Sequence, residues 1–469
     1  MLTEKIIATI GPSSASVDVL EKMILEGVSC FRINFSHGDE KMWKEFINLI
    51  REAEERTGMI ISIMGDLCGP SIRVGNLDKD ILLNPGEEGY FVLKEKTSGD
   101  SREVPIPNKK FFEIISEGDT IIMDDGLIRL SIEEVSGNFA KFKAITSAHI
   151  KPRKSVVIFQ KEVPLPSITE RDMKALKSVV KTGEIDIVAA SYVKSARDID
   201  NLRDILKELG IEEIKIAAKI ETRSAVQKLD EIVRASDYII VARGDLGMHY
   251  PLEEIPNLQS RIVRTAIIMG KPVYVATQIL ASMVKSPIPT RSEIVDVVYA
   301  IKDGVDGFLV TGETAIGEYP VEVIRWLKKI LNTYDVDAEA IRRNVSHELV
   351  KYALTQRDRF AEGVVNLSES LNAKLVVYTK SGGLAKRIAK FRPKTPFYAA
   401  SSNLKILRQL SIIYGVIPVK VSSHEYSEGL DETFEKLKET GELCYGDTVV
   451  LTYGLIEEPT HLVKIVRVL

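Results

Sequence analysis

The sequence predicts an α/β protein: a (β/α)8 barrel interrupted by a small all-β domain and followed by a separate α/β domain. Three observations predict it. Short β-branched runs alternate with amphipathic stretches, three runs before residue 69 and five after residue 164. Between them, residues 69–163 break into brief alternating runs separated by Gly, Pro, Asn and Asp, with no helical period. Beyond residue 333 strand and helix patterns alternate again over a shorter length. Three runs and five make the eight βα repeats that close a barrel, whereas an open doubly wound sheet usually has fewer strands.

The elements follow in order. The first run, 5–11, precedes a helical pattern over 17–25 that closes at Gly27. The second, 30–35, leads into Ser36-His37-Gly38-Asp39, where a Ser with an acid three residues on predicts a capped helix to about Arg56. The third, 59–64, ends in Gly65-Asp66. After a second cap at Thr169-Glu170-Arg171-Asp172 come runs at 186–191, 214–220, 238–242, 272–277 and 307–311. The C-terminal segment carries strands at 374–379, 396–400, 415–421, 448–453 and 461–468, with helices at 384–391, 403–413 and 430–439. The expected domains are 1–68 with 164–332, the TIM barrel; 69–163, the inserted β domain; and 333–469, the C-terminal α/β domain. The stretches 68–70 and 163–166, rich in Pro, are the expected hinges.

Composition excludes several function classes. Lys and Arg number 63 against 67 Asp and Glu, a net charge of −4, which gives no support to a nucleic-acid or anionic-membrane partner. Cys30, Cys68 and Cys444 are far apart, which fits a reducing cytosol and argues against a zinc or disulfide framework. No basic region followed by an apolar core opens the sequence, and uncharged stretches such as 272–284 are too short to span a bilayer. The expectation is a soluble cytoplasmic protein.

Chemistry gathers where two of the runs end. Glu221 closes one and Asp245 follows the next, so both carboxylates stand at the carboxyl end of one parallel sheet, where such enzymes build their sites. Two carboxylates without His or Cys suit a hard divalent ion, Mg²⁺ or Mn²⁺. Lys219, two residues before Glu221, shares its face and places a cation beside that ion. Cation and metal together stabilise a developing enolate or a transferring phosphoryl group. Each acid alone reads first as a solvated loop residue; Gly244 and Gly247 around Asp245 turn the reading toward close approach of backbone to a ligand. The other strand ends add Arg32, Asn34, Ser36, His37, Asp66, Arg243, Thr277 and Thr311. Arg, Lys and a carboxylate-bound metal describe a site for a multiply charged anion, most naturally phosphate. Asn34, Ser36 and Asp66 are hard oxygen donors that suggest a monovalent-cation pocket, and His37 reads either as a base or as a residue at the edge of the core. Neither a P-loop nor a strand-linked G-x-G-x-x-G is present. Thr379-Lys380-Ser381-Gly382-Gly383 enters a helix, and reads either as an anion cradle or as a plain glycine turn.

These stretches carry a resemblance. Lys5 to Pro12 (KIIATIGP), Arg32 to Gly38 (RINFSHG), Lys219-Ile220-Glu221, Ala242 to Gly247 (ARGDLG), Ala276-Thr277-Gln278, Pro289-Thr290-Arg291 and Thr311 to Ala315 (TGETA) resemble, in order, the signature stretches of the pyruvate kinase family. The resemblance implies transfer of a phosphoryl group from phosphoenolpyruvate to ADP, giving pyruvate and ATP at the last step of glycolysis. It implies that Glu221 and Asp245 hold the divalent ion, and that Lys219 and Arg32 meet the phosphoryl group. Gly244, Asp245 and Thr277 would grip the substrate carboxylate, with proton delivery near Thr277 and Thr311. Asn34, Ser36, Asp66 and the Leu67 carbonyl would be potassium ligands, and Asn34, His37, Arg73 and Lys154 would line the nucleotide side. The inserted domain becomes a lid bringing in Asp125, and the C-terminal domain becomes regulatory, with 379–383 as the loop for a phosphorylated effector. A homotetramer is the expected assembly. Ser71 stands where an acidic residue in the family goes with potassium dependence, Leu67 replaces a threonine, and residues 154–159 depart from the usual lid motif. Two other readings are a metal-dependent aldolase or lyase passing through a pyruvate enolate, which needs no lid, and a non-catalytic regulatory protein on the same fold.

Overall fold

A computed structural model describes residues 3–334, 355–454 and 461–469 of the chain. Eight parallel strands, Lys5–Thr9, Val28–Asn34, Ser62–Asp66, Ile187–Ala190, Lys215–Ile220, Tyr238–Ala242, Val273–Ala276 and Gly307–Val310, close into one barrel. These are barrel strands one to eight. They are continuous apolar runs because they are covered on both faces; all five residues of strand one are buried. Closure is made by strand eight against strand one, from Lys5 opposite Gly307 to Ala8 opposite Val310. Gly307 is required there, since a Cβ would stand 2.1 Å from the Lys5 carbonyl oxygen.

The first helix, Val17–Glu26, is capped by Ser16 and stopped by Gly27 at φ 120°. The second differs from expectation. It spans Glu40–Thr57 and its cap is Asp39, whose carboxylate accepts from Met42 N at 3.0 Å. Ser36 stays in the preceding loop because its N–H donates to Asn34 Oδ1 at 3.0 Å, so it is not the cap. At Thr169 the expected capping box forms, reciprocated by Asp172.

Residues of the inserted segment form a six-stranded sheet in the order Val156–Ile158, Thr120–Met123, Ile128–Ser136, Phe139–Ala144, Glu88–Val92, Glu103–Pro105, around a core containing Phe91, Phe111 and Phe142. The segment is not purely β. A helix, Lys109–Ile114, starts at Asn108 and buries Phe111 and Phe112; at six residues it is too short to display a period in sequence. Ile122 and Val157 of this sheet pack against Met248 of the barrel.

The C-terminal sheet runs Val416–Lys420, Phe397–Ser401, Lys374–Tyr378, Thr448–Gly454, His461–Arg467, the last strand antiparallel. Val377 and Leu375 on one face join the barrel's core, while Val376 and Tyr378 on the other join a separate one. The helix Leu404–Leu410 seals the base of the barrel: Gln409 Nε2 donates to Glu213 O at 2.8 Å, and Tyr238 Oη donates to Gln409 O at 2.9 Å. Among the described residues, no helix is long and apolar enough to cross a membrane.

Candidate active site

Strand register brings the predicted residues to one mouth. Asn34 of strand two lies opposite Asp66 of strand three, and Lys219 of strand five opposite Ile240 of strand six. Arg32 Nε donates to Asp66 Oδ2 at 2.7 Å, and its Nη1 donates to Thr9 Oγ1 at 3.0 Å. The ammonium of Lys219 lies 3.8 Å from Asp66 Oδ2 and 3.3 Å from Glu221 Oε2, and donates to Ser191 Oγ at 2.8 Å. Two cations and two carboxylates thus alternate in a buried ladder.

Burial and neighbouring charge shift the proton affinity of two members of that ladder, Lys219 and Glu221. Burial alone would lower the ammonium of Lys219, but Asp66, Glu221 and Asp245 outweigh it and hold it well above the ordinary lysine range. Glu221, 1 % exposed, is pushed up to about 8, first by burial and then by Asp245, with Lys219 opposing. Its Oε1 accepts from the backbone N–H of Tyr192 at 2.5 Å. Tyr192 directs that N–H from a left-handed backbone, φ +54°.

Asp245 stands in the first turn of the helix Arg243–His249, directly after strand six. The adjoining Gly244 N–H donates to Thr277 Oγ1 at 2.8 Å. Thr277 and Gln278 are both left-handed, at φ +68° and +54°, and Arg243 secures them by donating to their carbonyls at 3.0 and 3.1 Å. For a β-branched residue such as Thr277 this is an outlier held by its surroundings, the kind of strain that accompanies functional sites. Gly244, Asp245, Thr277, Thr311 and Glu313 line a cavity of about 230 Å³.

The donor set fits a divalent cation. Glu221 Oε2 is buried and makes no hydrogen bond, its one charged contact being the Lys219 ammonium at 3.3 Å, and the Asp245 charge nearby favours a further positive charge there. The donors are hard oxygens, and among the described residues no three His, Cys, Asp or Glu gather into a softer or larger cage.

Elsewhere the predicted residues divide. Asn34, Ser36, His37 and Asp66 stand together at the ends of strands two and three. Partial burial, then Arg73, Arg32 and Arg171, push the His37 imidazole down, so it is neutral at pH 7. Arg73 donates to Ser71 Oγ at 3.0 Å and to Arg153 O at 2.9 Å, while Lys154 is paired with Asp124. The side chain of Asp125 lies outside the described residues. Leu67 N–H donates to Ala189 O at 3.0 Å. The 379–383 loop is not brought to this mouth: it belongs to the C-terminal sheet, where Gly382 (φ +79°) caps the helix Gly383–Lys390, donates to Thr379 Oγ1 at 3.0 Å and packs on Leu410.

Sequence reasoning missed Ser191, Tyr192 and Thr9, which hold Lys219, Glu221 and Arg32. Their signal is positional only, each being at or beside a strand end. It also missed the second use of Asp172, whose carboxylate accepts from Cys68 N at 2.6 Å and Gly69 N at 3.2 Å, pinning the first hinge.

Residues 1–324 match the family model described as pyruvate kinase, barrel domain, and residues 358–468 match pyruvate kinase, alpha/beta domain. The chain is 38 % identical to the pyruvate kinase of Aeropyrum pernix over 462 residues, covering 98 % of each chain. It is 40 % identical to that of Pyrobaculum aerophilum over 468 residues, 98 % of this chain and 96 % of that one. The crystal structure of pyruvate kinase from Pyrobaculum aerophilum superposes with a TM-score of 0.87 over 99 % of both chains at 38 % identity. That of a pyruvate kinase from Cryptosporidium parvum gives 0.92 at 31 % identity, covering 99 % of this chain and 96 % of that one.

Proposed function

The chain belongs to the pyruvate kinase family, and on that premise we propose how its residues divide the transfer of a phosphoryl group from phosphoenolpyruvate to ADP. The protein is a phosphotransferase that requires a divalent metal. The observation that carries the residue assignments is the ladder of Arg32, Asp66, Lys219 and Glu221, in which two cations meet two carboxylates within 3.8 Å at the barrel mouth.

Glu221 and Asp245 hold the divalent cation, Mg²⁺ or Mn²⁺, which when bound neutralises charge on the phosphoryl and enol oxygens. The amide of Gly244, the Asp245 backbone and Thr277 grip the substrate carboxylate, and this fixes the direction in which the phosphoryl group leaves. Arg32 and Lys219 face that group. In the transfer the bond from phosphorus to the enol oxygen breaks as one forms to the terminal phosphate oxygen of ADP. Lys219, held protonated by its carboxylate neighbours, balances the moving charge without giving up a proton. The enolate that remains takes a proton at its terminal carbon from water ordered near Thr277 and Thr311. Residues 69–163 act as a lid that excludes water, with Asp125 arriving on it. Asn34, His37, Arg73 and Lys154 line the nucleotide side. Asn34, Ser36, Asp66 and the Leu67 carbonyl form a potassium pocket, residues 379–383 take a phosphorylated effector, and the assembly is a cytoplasmic homotetramer.

Pyruvate release from phosphoenolpyruvate and ADP with Mg²⁺, run with and without K⁺, tests this reading. Turnover that needs K⁺ supports the transfer reaction together with the potassium pocket of Asn34, Ser36 and Asp66, and turnover without K⁺ removes that pocket alone. Failure in both, with Mn²⁺ and candidate effectors also tried, moves the chain to the lyase or non-catalytic reading.

A further inference from the structure

The first turn of the helix Glu170–Ser178 holds two other parts of the chain, one through each of two neighbouring residues. Asp172, fully buried, accepts from the backbone N–H groups of Cys68 and Gly69 at the first hinge. Arg171 reaches the loop that follows strand two: its Nε donates to Phe35 O at 2.6 Å and its Nη2 to Gly38 O at 2.7 Å. The guanidinium lies over the Trp43 ring, 5.5 Å from its centroid, and Trp43 Nε1 donates to His37 O at 2.7 Å. Side chains therefore take the carbonyls of Phe35, His37 and Gly38, while His37 itself is left exposed. A guanidinium presents its N–H groups in a rigid planar fork, so binding both Phe35 O and Gly38 O sets the distance between the two ends of the loop.

We propose that Arg171 is a positioning residue for the nucleotide: its fork clamps the loop 35–38, so that Asn34 and His37 keep a fixed register with the hinge that Asp172 holds beside it. The inference rests on the reading that Asn34, His37 and Arg73 line the nucleotide side. Arg171 acts here without touching ADP, since both of the donors described are spent on backbone carbonyls. Without the fork, ADP has to order the loop as it binds, which weakens binding and leaves the chemistry at Lys219 and Glu221 as it was. Arg171 is itself exposed, so replacing it leaves the core packing alone.

The test uses the full chain with Mg²⁺ and compares Arg171→Met, Arg171→Lys and His37→Ala with the wild type. Arg171→Met is expected to raise KM for ADP about tenfold, the size of one hydrogen bond to a charged group, with kcat and KM for phosphoenolpyruvate within about twofold. Arg171→Lys keeps the charge without the fork, so KM for ADP should stay raised several-fold. A second readout needs no substrate. Trp43 and Trp326 are the two tryptophans, and Trp43 is 1 % exposed. In a Trp326→Phe background, acrylamide quenching of Trp43 should be weak, and Arg171→Met should strengthen it at least twofold. Unchanged KM for ADP in Arg171→Met, an equal rise in KM for phosphoenolpyruvate, full recovery in Arg171→Lys, or unchanged quenching would each overturn the clamp. His37→Ala separates the clamp from its premise. A raised KM for ADP in His37→Ala with none in Arg171→Met keeps the nucleotide side and rejects the clamp. No rise in either variant rejects this placement of the nucleotide and the clamp with it.

Discussion

Arg32 and Lys219 approach the same oxygen of Asp66: the guanidinium Nη2 lies 2.5 Å from Oδ2 and the ammonium 3.8 Å from it. Asp66 is 2 % exposed, so its charge is what allows two cations to stand at the base of an anion site before any anion arrives. Asp66→Asn keeps the shape and removes the charge. Breaking such a buried pair costs on the order of 3 kcal/mol, so thermal unfolding should begin markedly lower, and added phosphoenolpyruvate should recover part of the loss. Melting curves with and without substrate check both parts.

Lys219→Met removes the ammonium that would meet the phosphoryl group and leaves a similar apolar stem. A missing preorganised charge of this kind is worth about 4 kcal/mol, or roughly a thousandfold in kcat. Steady-state turnover is the measurement. Unchanged turnover would sink the assignment of Lys219.

How much of this was legible depended on the kind of signal. The eight barrel strands were, because burial on both faces forces unbroken apolar runs such as residues 238–242. Lys219 and Glu221 were, because alternation along one strand puts them on one face. Ser191 was not: it meets Lys219 across strands four and five, and nothing in the spacing of a serine reports its neighbour in space. The cap at Asp39 was misplaced to Ser36 because both fit the local pattern, and only the Asn34 side chain decides between them. The short lid helix was hidden for want of length.

Asp245→Asn should weaken divalent-ion binding while leaving the fold intact, since Asp245 is only half-buried in a short helix. Loss of one anionic ligand from a two-carboxylate site is expected to reduce affinity at least tenfold. Titration with Mn²⁺ followed by electron paramagnetic resonance reads this directly, and an unchanged titration would count against the metal assignment.

Thr277 separates stability from activity. At φ +68° a β-branched residue carries strain of about 1–3 kcal/mol, offset in part by the bond from Gly244 N at 2.8 Å. Thr277→Gly removes both, so the unfolding free energy should stay within about 1 kcal/mol while kcat/KM for phosphoenolpyruvate falls roughly a hundredfold. Thr277→Ser keeps the oxygen and should stay within about tenfold of the wild type. Denaturant unfolding and steady-state kinetics on the three proteins decide it; equal activity in the glycine variant would remove Thr277 from the site.

The base of the barrel predicts a dependence on pH. Lys5 is fully buried, and its ammonium, which donates to Val416 O at 2.7 Å and so ties strand one to the C-terminal sheet, is pushed down to about 8 by burial, with Glu4 opposing. The unfolded chain keeps that proton up to about 10.5. Between these values the unfolded state binds more protons, so stability rises with pH across the window. Below it both states are charged and the folded state bears the whole cost, on the order of 3 kcal/mol. Lys386, also pushed down to about 8 by burial, acts in the same sense, but it is common to wild type and Lys5→Met and cancels in their difference. The free energy of unfolding of the wild type should therefore gain on that of Lys5→Met between about pH 8 and 10. Denaturant titrations of both proteins across that range measure the difference, and a flat one would mean that Lys5 does not change its charge there.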